Sequence, residues 1–220
     1  MYKLCLPLAI LFLFPAALQA NMLDHVGRGW YDVNGLTTAG MANDNYIAGN
    51  SARPIRNFFA FDLSGITENI TSATLSIWNP DNGFSSNSGS ENYSLYHVST
   101  DVMQLIDGTT GDNMAVYTDL GSGLTFGSYM ATAADNGSFV DIPLNGTALT
   151  ALNNATGLFA FGGAVTTISG DLSQFIFGNS QSGPATKLFF NTTPIPVPAA
   201  LWLFLSAMIG FVGITKRNKA

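Results

Sequence analysis

Apolar positions along this chain fall into three regimes, and each predicts a different kind of element. From Leu4 to Leu18 almost every residue is apolar; from about 21 to 192 apolar and polar residues alternate in short runs; from Ala199 to Thr215 seventeen residues pass without a charge. The middle regime is strand patterning. "RNFFAFDL" (Arg56–Leu63) puts Phe59, Phe61 and Leu63 on one face, and "SATLSIW" (Ser72–Trp78) puts Ala73, Leu75 and Ile77 on one face with Thr74, Ser76 and Trp78 opposite. "NYSLYHV", "SFVDIPL", "GLFAFGG", "QFIFG" and "TKLFF" are also short, aromatic or β-branched, and bounded by Gly, Asn, Pro or Ser. Only "TALTALNN" (Thr147–Asn154) predicts a helix, of one or two turns. Many short strands, polar connections and almost no helix predict an all-β protein, an antiparallel jelly-roll-like sandwich. The long polar loop Asn79–Asn92 reads either as a mobile surface excursion or as the rim of a binding site.

The outer regimes predict where such a sandwich is sent. Lys3, the apolar run and the small residues of "ALQA" (Ala17–Ala20) form a signal peptide over residues 1–20, cleaved after Ala20. Cys5 leaves with it, and a mature chain without cysteine has neither a disulfide framework nor a thiol nucleophile. The uncharged stretch Ala199–Thr215 is near the lower limit for a single transmembrane helix, and Lys216, Arg217 and Lys219 stop it on the cytoplasmic side. The body, residues 21–192, would then hang in the periplasm from a transient inner-membrane anchor formed by 193–220. A plain anchor needs nothing more, yet Pro196-Val197-Pro198 precedes it. Proline holds extended backbone and resists helix continuation, which suits docking into the cleft of a processing enzyme.

Charge narrows the function classes. The body carries four basic residues (Arg28, Arg53, Arg56, Lys187) against all fourteen acids, a formal balance of −10 that repels phosphate backbones and argues against nucleic acid as a partner. Its remaining Phe, Leu and Ile exclude disorder. Catalytic chemistry is thinly represented. His25 and His97 are the two histidines, 72 positions apart, and no His/Cys cluster has metal-ligand spacing. "GNSQS" (Gly178–Ser182) departs from a nucleophile elbow at its last residue, and no glycine loop is built for a cofactor phosphate. The dispersed acids leave open a glycan-active enzyme, which needs a close carboxylate pair in a cleft. "NDN" (Asn43–Asn45), "IDGTTGDN" (Ile106–Asn113) and Asp24 offer oxygens that calcium takes, without a full loop pattern, and read better as ordinary Asx turns. Six Asn-X-Ser/Thr sequences begin at Asn69, Asn92, Asn136, Asn145, Asn154 and Asn191. Trp30, Tyr31, Trp78 and Tyr96 are the glycan-binding candidates, because a flat ring presented on a sheet stacks against a sugar face. Trp78 leads, on the side of its strand opposite Ala73, Leu75 and Ile77.

Two resemblances add to this reading. The C-terminal "PIPVPAALWLFLSAMIGFVGITKRNKA" closely resembles the PEP-CTERM sorting signal in its VPxPA-type variant: Pro196-Val197-Pro198, then the apolar segment from Ala199, then Lys216 and Arg217. Val197 stands where the common form has Glu, a departure the variant shares. The resemblance implies processing by an exosortase and delivery to the cell surface or exopolysaccharide matrix of a Gram-negative bacterium, in biofilm. "RNFFAFDLSGITENITSATLSIWN" (Arg56–Asn79), "FVDIPLNGTALTAL" and "FGNSQSGPATKLFFN" loosely resemble DNRLRE and carbohydrate-binding-module-like sandwiches of secreted proteins, although the acronym motif is absent. These are core and turn positions, so they bear on fold more than activity. The expectation is a secreted, non-enzymatic surface or matrix protein without a resident cofactor; the alternatives are a carbohydrate-binding module with a defined glycan and a glycan-active enzyme.

Overall fold

Four consecutive apolar residues, Phe58, Phe59, Ala60 and Phe61, are all buried at 3 % exposure or less, which a strand covered on one face cannot achieve. The computed structural model describes residues 20–193 except 110, 171, 172 and 182, and shows how it is done. Residues 1–19 of the expected signal peptide, and the expected sorting segment and membrane helix with Pro196, Val197, Pro198, Lys216, Arg217 and Lys219, lie outside the described residues. No described helix is long and apolar enough to cross a membrane.

In chain order the elements are β1 (Ala20–Asp24), β2 (Gly27–Asp32), β3 (Ala48–Ser51), β4 (Pro54–Asp62), β5 (Ile70–Asn79), β6 (Ser90–His97), α1 (Val102–Asp107), α2 (Asn113–Asp119), β7 (Thr125–Thr132), β8 (Ser138–Pro143), α3 (Gly146–Asn154), β9 (Leu158–Val165), β10 (Ser173–Ile176) and β11 (Lys187–Thr192). They form a sandwich of two antiparallel sheets. The smaller has the order β1-β11-β5-β8, and the larger runs β10-β3-β4-β9-β6-β7 with β2 also on β4. Ile55 is matched to both Asp32 and Gly49, and Phe59 to both Arg28 and Phe161. Strand β2 therefore occupies one flank of β4, while β3 and β9 share the other flank end to end.

The main core lies between the sheets. Phe59, Phe61 and Leu63 meet Ala73, Leu75 and Ile77, together with Tyr93, Leu95, Phe126, Val140, Ile142, Phe161, Leu188 and Phe190. The alternation read from β4 and β5 is thus borne out. A second core covers the other face of β4: Phe58, Ala60, Tyr31 and Ala160 pack under Leu105, Val116 and Leu120. Its cover is α1 and α2, whose Asp101 and Asp112 cap them by accepting hydrogen bonds from Met103 N and Gln104 N, and from Met114 N and Ala115 N. These helices depart from the expectation of almost no helix. The turn reading of "IDGTTGDN" holds where α1 ends and α2 begins: Gly108 takes the left-handed conformation (φ 67°) that ends α1, and Asp112 Oδ1 accepts from Met114 N two residues on. A Cβ at Gly162 of β9 would stand 2.6 Å from the Leu120 carbonyl oxygen, so the glycine lets this layer lie directly on the sheet. The helix expected over Thr147–Asn154 is α3, capped by Asn145 accepting from Ala148 N.

Phe61 is fully buried and meets Phe161 edge-on at 5.9 Å between ring centres. Phe61→Ala is expected to lower stability by about 3–5 kcal/mol, the transfer and cavity cost of a large core ring. Chemical denaturation checks this, and a loss below about 1 kcal/mol would remove Phe61 from the load-carrying core.

Candidate functional site

Both faces of the large sheet are occupied near its centre, whereas the small sheet presents an outward face. Its residues are set by register. Met22 is matched to Phe189, Phe189 to Thr74, and Thr74 to Pro143, giving one row across all four strands. The next row is Asp24, Lys187, Ser76 and Asp141. Beyond it Trp78 of β5 stands opposite Phe139 of β8. Every one of these alternates with a core residue: Leu75 and Ile77 on β5, Val140 and Ile142 on β8, Leu188 and Phe190 on β11. Burying those fixes the phase, so the outward set follows.

This face is unusually apolar for one open to water. Met22 is 48 % exposed, Phe139 42 % and Phe189 40 %, with Pro143 also exposed. The Trp78 and Phe139 rings lie 5.2 Å apart with planes at 67°, an edge-to-face pair. Trp78 is half-buried, its strand held from beneath by Tyr46, whose hydroxyl donates to the Trp78 carbonyl at 2.9 Å. Lys187 Nζ donates to Asp24 Oδ1 at 2.9 Å and to Met22 Sδ at 3.3 Å, while Asp141 is exposed. Thr74 and Trp78 are four residues apart on β5, so the Phe189 station and the Trp78–Phe139 station stand about 13 Å apart. Asp24, Lys187 and Asp141 put charge between them, while Ser76 of the same row is buried. Chemically this is a strip with aromatic rings at both ends and charged groups in the middle.

Of the four aromatics singled out in the sequence, Trp78 alone lies on this face. Tyr31 is corrected: it is fully buried in the second core, and its hydroxyl donates to the Leu105 carbonyl at 2.8 Å, leaving no ring face for a ligand. Trp30 is half-buried with the Arg53 guanidinium 5.8 Å over its ring. Tyr96 is half-buried on the large sheet, opposite Gly162 and beside a bulge. Phe139, Phe189 and Met22 were missed. The signal for the first two was available, since the "SFVDIPL" and "TKLFF" alternations place them opposite Val140, Ile142, Leu188 and Phe190.

Elsewhere the polar candidates serve the fold. Ser180 of "GNSQS" accepts from Tyr46 N at 2.9 Å and donates to Asn45 Oδ1 at 2.7 Å. His97 packs edge-on against Phe126. His25 Nδ1 accepts from Thr186 N, and burial, followed by the nearby Arg28 charge, pushes its pKa down and favours the neutral ring. Of the oxygens offered to calcium, Asn43 accepts from Asn45 N, Asp44 pairs with Arg28, Asp24 with Lys187, and Asp112 caps α2, while Asn113 Oδ1 is buried without a hydrogen-bond partner. No group of three or more His, Cys, Asp or Glu suited to a metal occurs among the described residues. A cleft beside α1 and α2 holds Asp101, Asp112 and Asp119. Burial alone would raise Asp119, but four hydrogen bonds from Ser99 and Thr100 outweigh it and hold the carboxyl below its ordinary range. A glycosidase's general acid needs the opposite shift.

The loop Asn79–Asn92 is pinned rather than loose. Asn79 Oδ1 accepts from Phe177 N, Ser85 and Phe175 exchange backbone hydrogen bonds, and Gly178 N donates to the Gly83 carbonyl. At its far end Glu91, 1 % exposed, accepts from Ser86 Oγ (2.6 Å), Ser88 Oγ (3.3 Å), Gln174 Nε2 (2.9 Å) and Thr167 Oγ1. The loop that leaves the Trp78 strand is therefore a fixed neighbour of the face.

Compared with protein-family models the chain matches none, and no curated protein matches its sequence. Among solved structures it is similar to the cryo-EM structure of Mud crab tombus-like virus, with 13 % identity over 93 % of this chain and 96 % of that one, at a TM-score of 0.26. A superposition that loose carries no argument about fold or function.

Burial by itself would raise the pKa of Glu91, but its donors outweigh burial and hold it below the ordinary range. A folded-state value below the unfolded one gives stability that is complete above the ordinary glutamate range of about 4.3 and is lost as pH falls through the lower folded value. Wild type should therefore lose stability on acidification more steeply than Glu91→Gln, although the variant starts less stable. Denaturation midpoints measured from about pH 7 to about pH 3 check this; parallel curves would show that Glu91 does not tie the loop down as a carboxylate.

Proposed function

We propose that this chain is an exported, non-enzymatic protein of the bacterial surface or exopolysaccharide matrix. Its C-terminal segment is trimmed by an exosortase-type enzyme, and its sandwich, arranged as a jelly roll, is the working body. The observation that carries the reading is Pro196-Val197-Pro198 set directly before seventeen uncharged residues and Lys216, Arg217 and Lys219, because a simple anchor has no use for the two prolines. The acidic body agrees with it: ten excess negative charges suit life outside a cell better than contact with nucleic acid.

A second reading is favoured by the outward face of the small sheet. Rings of Trp78, Phe139 and Phe189 flanking Lys187 and Asp141 make a surface on which a neutral polysaccharide lays its apolar C–H faces over the rings and its hydroxyls between them. On this reading the body is a carbohydrate-binding module. The two readings are compatible, and the glycan is then the matrix itself.

Two measurements separate them. In the source bacterium, Pro196→Ala combined with Pro198→Ala should leave the protein membrane-anchored with an untrimmed C-terminus, since the apolar segment survives and the recognition feature does not. Mass spectrometry of the cell-surface and medium fractions checks this, and normal release with an identical trimmed end defeats the sorting reading. For the face, Trp78→Ala and Phe139→Ala should each weaken binding to the bacterium's own exopolysaccharide by about 1–2 kcal/mol in calorimetry. Added salt should change the affinity little, because stacking carries it. An absence of wild-type affinity returns the body to a matrix component without a glycan site.

A further inference from the structure

The domain sorts its oxidisable sulfur to the outside. Its five described methionines are Met22, Met41, Met103, Met114 and Met130, and their exposures are 48, 62, 62, 56 and 63 %. Methionine is ordinarily among the residues most often buried, a flexible filler of irregular gaps. Among the described residues no methionine is buried, and the buried apolar places are taken by Phe, Leu, Ile, Val, Ala and Tyr. The surface positions lie on several elements: the outward row of β1, the loop after β2, the first turns of α1 and α2, and the edge strand β7. A single docking patch does not account for them. What they share is a side chain open to solvent on a body whose core holds no described methionine.

We infer that these five side chains are oxidation sites, converted to sulfoxides by peroxide-class oxidants from the surroundings while the fold stands. In each event the sulfur lone pair attacks one peroxide oxygen, the O–O bond breaks, an S–O bond forms, and the departing hydroxide takes up the remaining proton as water. Sulfur loses two electrons and the peroxide gains them. A sulfoxide is polar and disrupts a core, but at an exposed position it replaces one solvent-facing group with another. At Met22, whose sulfur already accepts from Lys187 Nζ, the new oxygen is a stronger acceptor for the same ammonium. The domain thereby consumes oxidant stoichiometrically without losing its structure.

The test uses the purified full chain exposed to hydrogen peroxide under native conditions, read by peptide-mapping mass spectrometry and by thermal unfolding. All five methionines should gain one oxygen at rates within about tenfold of those in the same chain unfolded in denaturant, and the unfolding midpoint should stay within about 4 °C of the untreated protein. A variant with all five changed to Leu should take up five fewer equivalents of peroxide per chain. Protection of any of the five by more than tenfold, a midpoint drop beyond 4 °C once all five are oxidised, or equal peroxide uptake by the variant each overturns the inference.

Discussion

Covering both faces of one strand is the constraint from which the rest of the architecture follows. Strand β4 contributes Phe59 and Phe61 to the space between the sheets and Phe58 and Ala60 to the space under α1 and α2. Each of those rings leaves water only if a complete layer is laid over it, and a fully buried large side chain gains about 1.5–3 kcal/mol. The excursion between β6 and β7 is therefore a roof for the large sheet, held by two aspartate caps and brought close by Gly162. The small sheet closes the other side. On its outward face Met22, Phe139 and Phe189 are exposed, and that apolar content is conspicuous.

The same division explains why polar groups inside the sandwich are so heavily bonded. Asn57 is fully buried on β4, donating to the Tyr46 carbonyl at 2.7 Å and accepting from the Tyr93 hydroxyl at 2.7 Å. Burial drives the Tyr93 hydroxyl well above its ordinary pKa and keeps it a donor. Arg28, 7 % exposed, is similarly enclosed by Asp44, the carbonyls of Gly183 and Pro184, and the Tyr46 ring at 4.7 Å. An unpaired group at such depth costs about 1–3 kcal/mol, more if charged, so these bonds are conditions of folding rather than signs of chemistry. Glu91 belongs to the same class.

Legibility in the sequence followed the range of the interaction. Period-two alternation in β4, β5, β8 and β11 depends only on neighbours along the chain, and it assigned the core faces of Phe61, Leu75 and Ile77 correctly. It also contained the outward phase of Phe139 and Phe189. What alternation lacks is register between strands distant in sequence, and only register sets Trp78 opposite Phe139 and Phe189 opposite Thr74. Tyr31 misled for a related reason: its strand is covered on the outside by helices some seventy residues away, which no local pattern announces. The helices themselves were concealed because each is short and capped by an aspartate that also reads as a turn residue.

The pairing of β1 with β11 has a mechanical meaning. Ala20 is matched to Asn191, so the polypeptide enters and leaves the domain at the same end of one antiparallel pair. A pull applied to both ends at once opens that pair like a zip, rung after rung, each hydrogen bond meeting the whole load alone. A pull from residue 193 against a body gripped by its sheet face is different. It drags β11 lengthwise between β1 and β5, and the rungs on both flanks share the force together. The body is therefore strong as a pendant and weak as a link in a chain.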